Sequence, residues 1–253
     1  MISYEYPLNE RVRTLLRLED LFQRLEYFLS KHEALQHHAA LLLLFEIYEV
    51  ASRADLKSEL MQELERQKQA LEPLRGNPEI SERALDNVLR QIDQSSSQLY
   101  QSSGKIGQEL RENEWLMSIK QRTSIPGGIC EFDLPSYHYW LHLPPEQQRH
   151  DLDTWLAPFQ ALREASAIVL RLLRSSGKTS LQIAHQGLYQ QMMTGRVAQM
   201  VCVSLAPDYA CVPEISANKY ALNIRFMTLP GPERERPRTA DFDVPFELTF
   251  CNL

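Results

Sequence analysis

A Gly-Lys-Thr triplet, seven histidines and four cysteines are the groups in this 253-residue chain whose chemistry is easiest to name. Each can be weighed on spacing alone. Gly177-Lys178-Thr179 resembles the end of a phosphate-binding loop, but that loop needs a glycine five residues before Gly177 and must lead from a strand into a helix. The position is Leu172, and the preceding segment reads as helix, so a helix-ending turn fits better. His37 and His38 are neighbours and would point about 100° apart on a helix. They cannot share a metal as an i, i+4 pair would, and no third ligand stands at suitable spacing. His138 and His142 have i, i+4 spacing if Pro135–Leu143 is helical, yet Tyr139, Trp140 and Leu141 lie between them, without the acid of a metalloprotease. Packing beside Trp140 is the expected role for at least one of them. Cys130, Cys202, Cys211 and Cys251 lack CxxC spacing and read as reduced thiols in or near strands. No nucleophile elbow, Cys–His pairing or paired-carboxylate motif stands out. No metal or cofactor is expected, and nothing in the chain asks for an enzyme.

The cations are more informative. Arg13, Arg17 and Arg24 are spaced by four and then seven, on one helical stripe. The plain reading is a solvated face paired with Glu10 and Asp20. The net charge of −6 argues against general nucleic-acid binding, which rests on neutralising phosphates. The start, MISYEYPLNE, lacks a secretory pattern. The longest apolar run, Ala39–Phe45, falls far short of the ~20 residues of a membrane span. Cytoplasm and no membrane insertion are the expectations.

Residues 2–6 alternate as a short strand, ended by Pro7. Leu15, Leu18, Phe22, Leu25 and Leu29 recur at three and four, which predicts a helix over Glu10–Leu29. Further helices are expected at about 36–51, 55–72, 80–99 and 107–121. Ser52, three residues before Asp55, reads as a cap entering the third helix. Ser95–Ser97 and Ser102–Gly104 read as a loop before the fifth. A long helix should span Glu146–Leu173, broken or kinked at Pro158. After Ser175 the texture changes to period two: Val197–Leu205, Lys219–Thr228 and Phe242–Phe250 predict antiparallel strands with one buried face. Pro245 marks the last as an edge strand or a bulge. The fold class is α+β: a mostly helical domain, 10–175, and a smaller antiparallel β-sheet domain, 176–253. The opening strand 2–6 and a segment near Ile129–Phe132 are candidates to complete the sheet.

One stretch is unusually specified. SIPGGICEFDLPSYHYWLHLP, Ser124–Pro144, holds three prolines, two adjacent glycines and two histidines within 21 residues. Gly127 and Gly128 suggest a backbone path that a side chain would block, and Pro135 is placed to open a short helix. This corner resembles the ZapD family of bacterial cell-division proteins, which bind and bundle filaments of the tubulin homologue FtsZ. YPLNERVRTLLRLE (6–19), KIGQELRENEWL (105–116) and ISANKYALNIRFMTL (215–229) resemble further blocks of that family, in its order.

The resemblance implies a symmetric homodimer whose basic surface receives the C-terminal tail of FtsZ, a non-enzymatic clamp that crosslinks protofilaments at the mid-cell ring. It implies Arg17, Arg53, Arg225 and His138 as tail-binding residues, with Arg13 on the same helical stripe as Arg17. Glu114 and Ala221 depart from the pattern, each standing where relatives can carry a basic residue; Lys219, Lys120 and Arg122 are the candidates to compensate. The alternative from another class is an enzyme or small-molecule-binding protein with a pocket at the helical/β junction.

Overall fold

A computed structural model of the chain describes residues 1–31, 33–53, 55–102, 104–195, 197–229 and 236–253. In chain order the elements are β1 (Ile2–Pro7), α1 (Glu10–Leu29), α2 (Ala34–Ala51), α3 (Leu56–Leu71), α4 (Glu82–Gln101), α5 (Gln108–Glu112), α6 (Glu114–Thr123), α7 (Pro135–Leu141), α8 (Pro145–Leu156) and α9 (Gln160–Ser175), then β2 (Lys178–Ala184), β3 (Leu188–Met192), β4 (Met200–Leu205), β5 (Cys211–Ala217), β6 (Ala221–Thr228) and β7 (Val244–Cys251). They divide into a helical unit, Thr14–Val169, and a sheet unit made of Met1–Arg13 and Leu170–Leu253.

In the helical unit, Leu15, Leu18, Phe22, Leu25 and Leu29 of α1 are buried, so the spacing read from sequence marks the packed face. Three expectations need correction. Ser95–Ser97 is not a loop: α4 runs through it, because Leu85, Leu89, Ile92 and Leu99 keep one stripe buried and Ser95, only 3% exposed, fills the position between. Three serines cost a helix a few tenths of a kcal/mol each, less than burying Leu99 returns. The helix expected over 107–121 is two, because Asn113 takes an extended conformation and its side-chain carbonyl accepts the Leu116 N–H at 3.0 Å, capping α6. Ser52 does not cap α3. It closes α2, with its N–H donating to the Tyr48 carbonyl at 2.8 Å and its hydroxyl to that of Glu49. Ala54 of that connection and Ser103 of the Ser102–Gly104 cluster lie outside the described residues. At Pro158 the expected break is a 3-10 turn, Ala157–Phe159, between α8 and α9.

The corner Ser124–Leu134 is a run of linked turns, and the expected strand near Ile129–Phe132 is part of it. Gly127 sits at φ +70, and a Cβ on Gly128 would lie 2.6 Å from the Arg122 carbonyl oxygen and 2.8 Å from Ile125 Cβ. Each glycine therefore has a separate steric reason. Arg122 grips Asp133 across the corner at 2.7 Å, and Pro135 opens α7 as its first residue. Tyr137 and Trp140, both buried, stack at 5.8 Å; Trp115 of α6 and Trp155 of α8 complete an aromatic cluster with spacings of 5.7–6.2 Å.

The sheet unit holds two small antiparallel sheets rather than one. The first has strand order β1-β4-β7-β2 and the second β3-β6-β5. Their inner faces share one core, with Phe246 of β7 5.0 Å from Phe226 of β6 and 5.2 Å from Tyr189 of β3. The opening strand pairs with β4, Ile2 opposite Leu205 and Pro7 opposite Met200. Pro245 is not on an edge strand: β7 lies between β4 and β2. It stands near the start of β7, beyond the last residue that β4 pairs, so only β2 flanks it there. The strands expected from Val197, Lys219 and Phe242 begin a few residues later, at Met200, Ala221 and Val244.

Candidate functional site

Arg17 projects from α1 and is exposed, and among the described residues no ion pair involves it. The neighbouring helix arginines differ. Arg13 is tied to Glu10 at 3.1 Å and Arg24 to Asp20 at 2.7 Å. The stripe read from sequence is therefore two neutralised cations and one unneutralised one.

Arg53 follows α2 and reaches α1. Its Nη1 donates to the Thr14 hydroxyl at 3.3 Å, and its Nε stands 3.8 Å from Asp55, with both members of that pair about half exposed. Thr14 is 5% exposed. Residues three apart on a helix share a face, with Cβ atoms about 5–6 Å apart, so Thr14 places the Arg53 guanidinium on the face that carries Arg17. The fold thus brings together two of the expected residues. Thr14 was missed in the sequence reading; its only signal is the three-residue offset from Arg17.

His138 lies elsewhere in the helical unit. It is exposed on α7, 3.7 Å from Glu131, with its ring 4.4 Å from that of His142. Its neighbour Tyr137 bonds His38, near the start of α2, at 2.6 Å, whereas Arg53 follows that helix's end. Fifteen residues of chain, about 20 Å of helix, separate those points, so one chain does not unite His138 with Arg17 and Arg53. His142 turns its Nδ1–H onto the His138 carbonyl at 2.8 Å, a structural bond. His37 is fully buried, with Nδ1 2.8 Å from the Gln148 side-chain oxygen; the Gln148 amide donates to the Leu141 and Leu143 carbonyls. Burial lowers the pKa of His38 and raises that of Tyr137.

In the sheet unit, Arg225 is exposed in the middle of β6, directly opposite Glu214 of β5 and 3.2 Å from its carboxylate. Leu188 of β3 lies on its other side and is 54% exposed. Arg225 therefore sits on an open sheet face between one acid and one apolar side chain. Of the candidate compensating cations, Lys120 is paired with Glu49 and Arg122 with Asp133, while Lys219 is exposed with its ammonium over the Tyr220 ring.

A cavity of about 410 Å³ beside α1 and α8 is lined by Glu26, Arg149, Asp153 and Arg163. Its cations are already matched, Arg149 with Asp153 and Arg163 with Glu26. None of the groups with a shifted pKa lines it. Among the described residues, no cluster of three or more His, Cys, Asp or Glu side chains is arranged to hold a metal ion. Nor is any helix among them long and apolar enough to cross a membrane.

Comparison with known proteins agrees with the Pro-Gly-Gly corner and the blocks around it. The family described as "ZapD: Cell division protein" matches residues 16–225. The cell division protein ZapD of Aromatoleum aromaticum (strain DSM 19018 / LMG 30748 / EbN1) is 60% identical over 253 residues, covering 100% of this chain and 98% of that protein. Those of Azoarcus sp. (strain BH72) and Dechloromonas aromatica (strain RCB) are each 59% identical, with 100% of both chains covered. With most of its length inside the family's match and full-length relatives at this identity, the chain belongs to the ZapD family of cell division proteins.

Proposed function

We propose that this cell-division protein is a non-enzymatic clamp that binds the C-terminal tail of FtsZ and, as a twofold dimer, crosslinks and bundles FtsZ protofilaments at the division ring. The observation that carries the reading is an exposed Arg17 on α1, without a counter-ion among the described residues, and an Arg53 that reaches α1 and is anchored there by a hydroxyl. An exposed cation left unpaired on a chain of net charge −6 is matched to a carboxylate-bearing partner, and guanidinium groups grip carboxylates through paired hydrogen bonds. Arg225, Arg13 and His138 belong to the same proposal as further contacts, from other elements or from the second subunit.

The mechanism is avidity. A disordered tail loses conformational freedom on docking, so one contact is weak, on the order of micromolar. A symmetric dimer presents every surface twice. Two filaments, each displaying many tails, are then held far more firmly than a single contact allows. Catalysis has no part in this, and the protein acts where the filaments are, in the cytoplasm at mid-cell.

Co-sedimentation with FtsZ polymers, together with the mass in solution, tests the proposal. The expected result is a dimer that pellets with FtsZ at low salt and is released as ionic strength rises. A monomer, or a dimer that stays in the supernatant under polymerising conditions, would refute it.

A further inference from the structure

Of the arginines considered for the tail and its helical stripe, Arg13 is held by Glu10, Arg24 by Asp20 and Arg225 by Glu214, each through a carboxylate within 3.2 Å. Each such bond fixes the side chain and also cancels its charge. Arg53 is different. Among the described residues its side-chain hydrogen bond goes to the neutral Thr14 hydroxyl, 39 residues away in sequence, and Asp55 stands at 3.8 Å, near the limit of an ion pair and well exposed. The guanidinium is thus anchored by a neutral group, and its acidic neighbour is the most distant of these four.

We propose that Thr14 is a positioning residue: its buried hydroxyl presets Arg53 beside Arg17, so that the two guanidinium groups form a cradle for one carboxylate of an acidic peptide segment. The inference rests on the tail-binding reading above and specifies how that site is built. Three features make the geometry suited to the task. Thr14 is 5% exposed and its χ1 is stiffened by β-branching, so the anchor itself does not wander. Its hydroxyl, one helical turn from Arg17, sets where Arg53 lies on α1. Arg53 still has three N–H donors, all on its two terminal nitrogens, beyond the one given to Thr14 and the Nε facing Asp55, enough to meet a carboxylate end-on while Arg17 meets it from the next turn. An unanchored arginine loses side-chain freedom when it binds; here part of that loss has already occurred in the free protein.

The test is a double-mutant cycle read as affinity for a fluorescently labelled FtsZ C-terminal peptide at low salt. The full-length protein is used in five forms: unmodified, Thr14→Val, Thr14→Ser, Arg53→Ala and Thr14→Val with Arg53→Ala. Thr14→Val should weaken binding about three- to tenfold, the weight of one side chain newly immobilised. Thr14→Ser, which keeps the hydroxyl, should bind within about twofold of the unmodified protein. In the Arg53→Ala background, Thr14→Val should change nothing further. Thr14→Ala, which suits a helix better, replaces Thr14→Val if the latter does not fold. If Arg53→Ala weakens binding but Thr14→Val does not, or does so equally with and without Arg53, Thr14 is not the positioning group and the inference falls alone. If Arg53→Ala binds like the unmodified protein, the tail-binding reading of this surface falls with it.

Discussion

Reversing the charge at Arg17 separates function from stability, and the size of the effect follows from the surroundings. Arg17 is exposed and makes no ion pair among the described residues, so Arg17→Glu strands no buried partner. Along α1 itself two small effects oppose each other. Glutamate at 17 would sit three residues before Asp20, a like-charge contact costing about 0.2–0.5 kcal/mol, and four after Arg13, an attraction of similar size. Helix propensity changes little between Arg and Glu. Stability should therefore move by less than about 0.5 kcal/mol. Toward a carboxylate-bearing tail the change does not cancel. An exposed guanidinium–carboxylate contact contributes up to about 1 kcal/mol; reversal removes it and adds a repulsion of like magnitude, about 1–2 kcal/mol in all. Since about 1.4 kcal/mol is tenfold, the tail peptide should bind some 5–30 times more weakly. Fluorescence anisotropy with labelled FtsZ tail peptide measures this. Repeating the titration across a salt series should show the unmodified protein losing affinity more steeply than the variant. An Arg17→Glu protein with unchanged melting, unchanged affinity and an unchanged salt slope would refute the assignment of this face to the tail.

Three further outcomes follow from particular contacts. Arg225→Gln should reduce pelleting with FtsZ while the fold persists; glutamine is the better substitution, because glutamate there would directly oppose Glu214 across the strand pair and destabilise the sheet itself. Gly128→Ala should lower stability by about 1–3 kcal/mol, seen as an earlier denaturant midpoint, since the added Cβ would lie 2.6 Å from a backbone oxygen that cannot step aside. His38 has its pKa lowered by burial, so the unfolded chain takes up its proton first as pH falls; stability should be complete above about pH 6.5, the unfolded value, and decline below it as pH drops through the folded value. A His38→Gln variant should show a shallower loss between neutral and mildly acidic pH in paired urea titrations, and equal slopes for both proteins would count against the burial argument.

How much could be read from sequence depended on whether a residue's neighbours were local. The face of α1 was legible because helical spacing alone decides which leucines are buried. The break at Pro158 was legible because a ring without an N–H acts wherever it stands. Ser95–Ser97 misled because composition was weighed above the Leu85–Leu99 stripe that runs through it. Strands β2, β3 and β5 were not anticipated. In β2, Leu181 and Ile183 alternate, but on the open face: they are 80% and 52% exposed, while the core side is held by Ala184. β3 likewise exposes Leu188 and Met192, and β5 carries Pro213, tolerated because β5 is an edge strand. At the candidate site, the arginines could be named from their resemblance to the family, but not which of them are free. That depends on partners such as Thr14, 39 residues from Arg53, which no local pattern links.

All three tryptophans of the chain lie in one cluster with Tyr137, on α6, α7 and α8, and every one belongs to the helical unit. Indole emission is therefore a private signal of that unit. A heating curve followed at tryptophan wavelengths registers loosening around the Pro-Gly-Gly corner and is silent about the strands, whereas circular dichroism near the β-sheet minimum registers both. Recorded on the same sample, two coincident curves would mean that the helices and sheets melt as one cooperative body, and two separated curves would give each unit its own midpoint without cutting the chain.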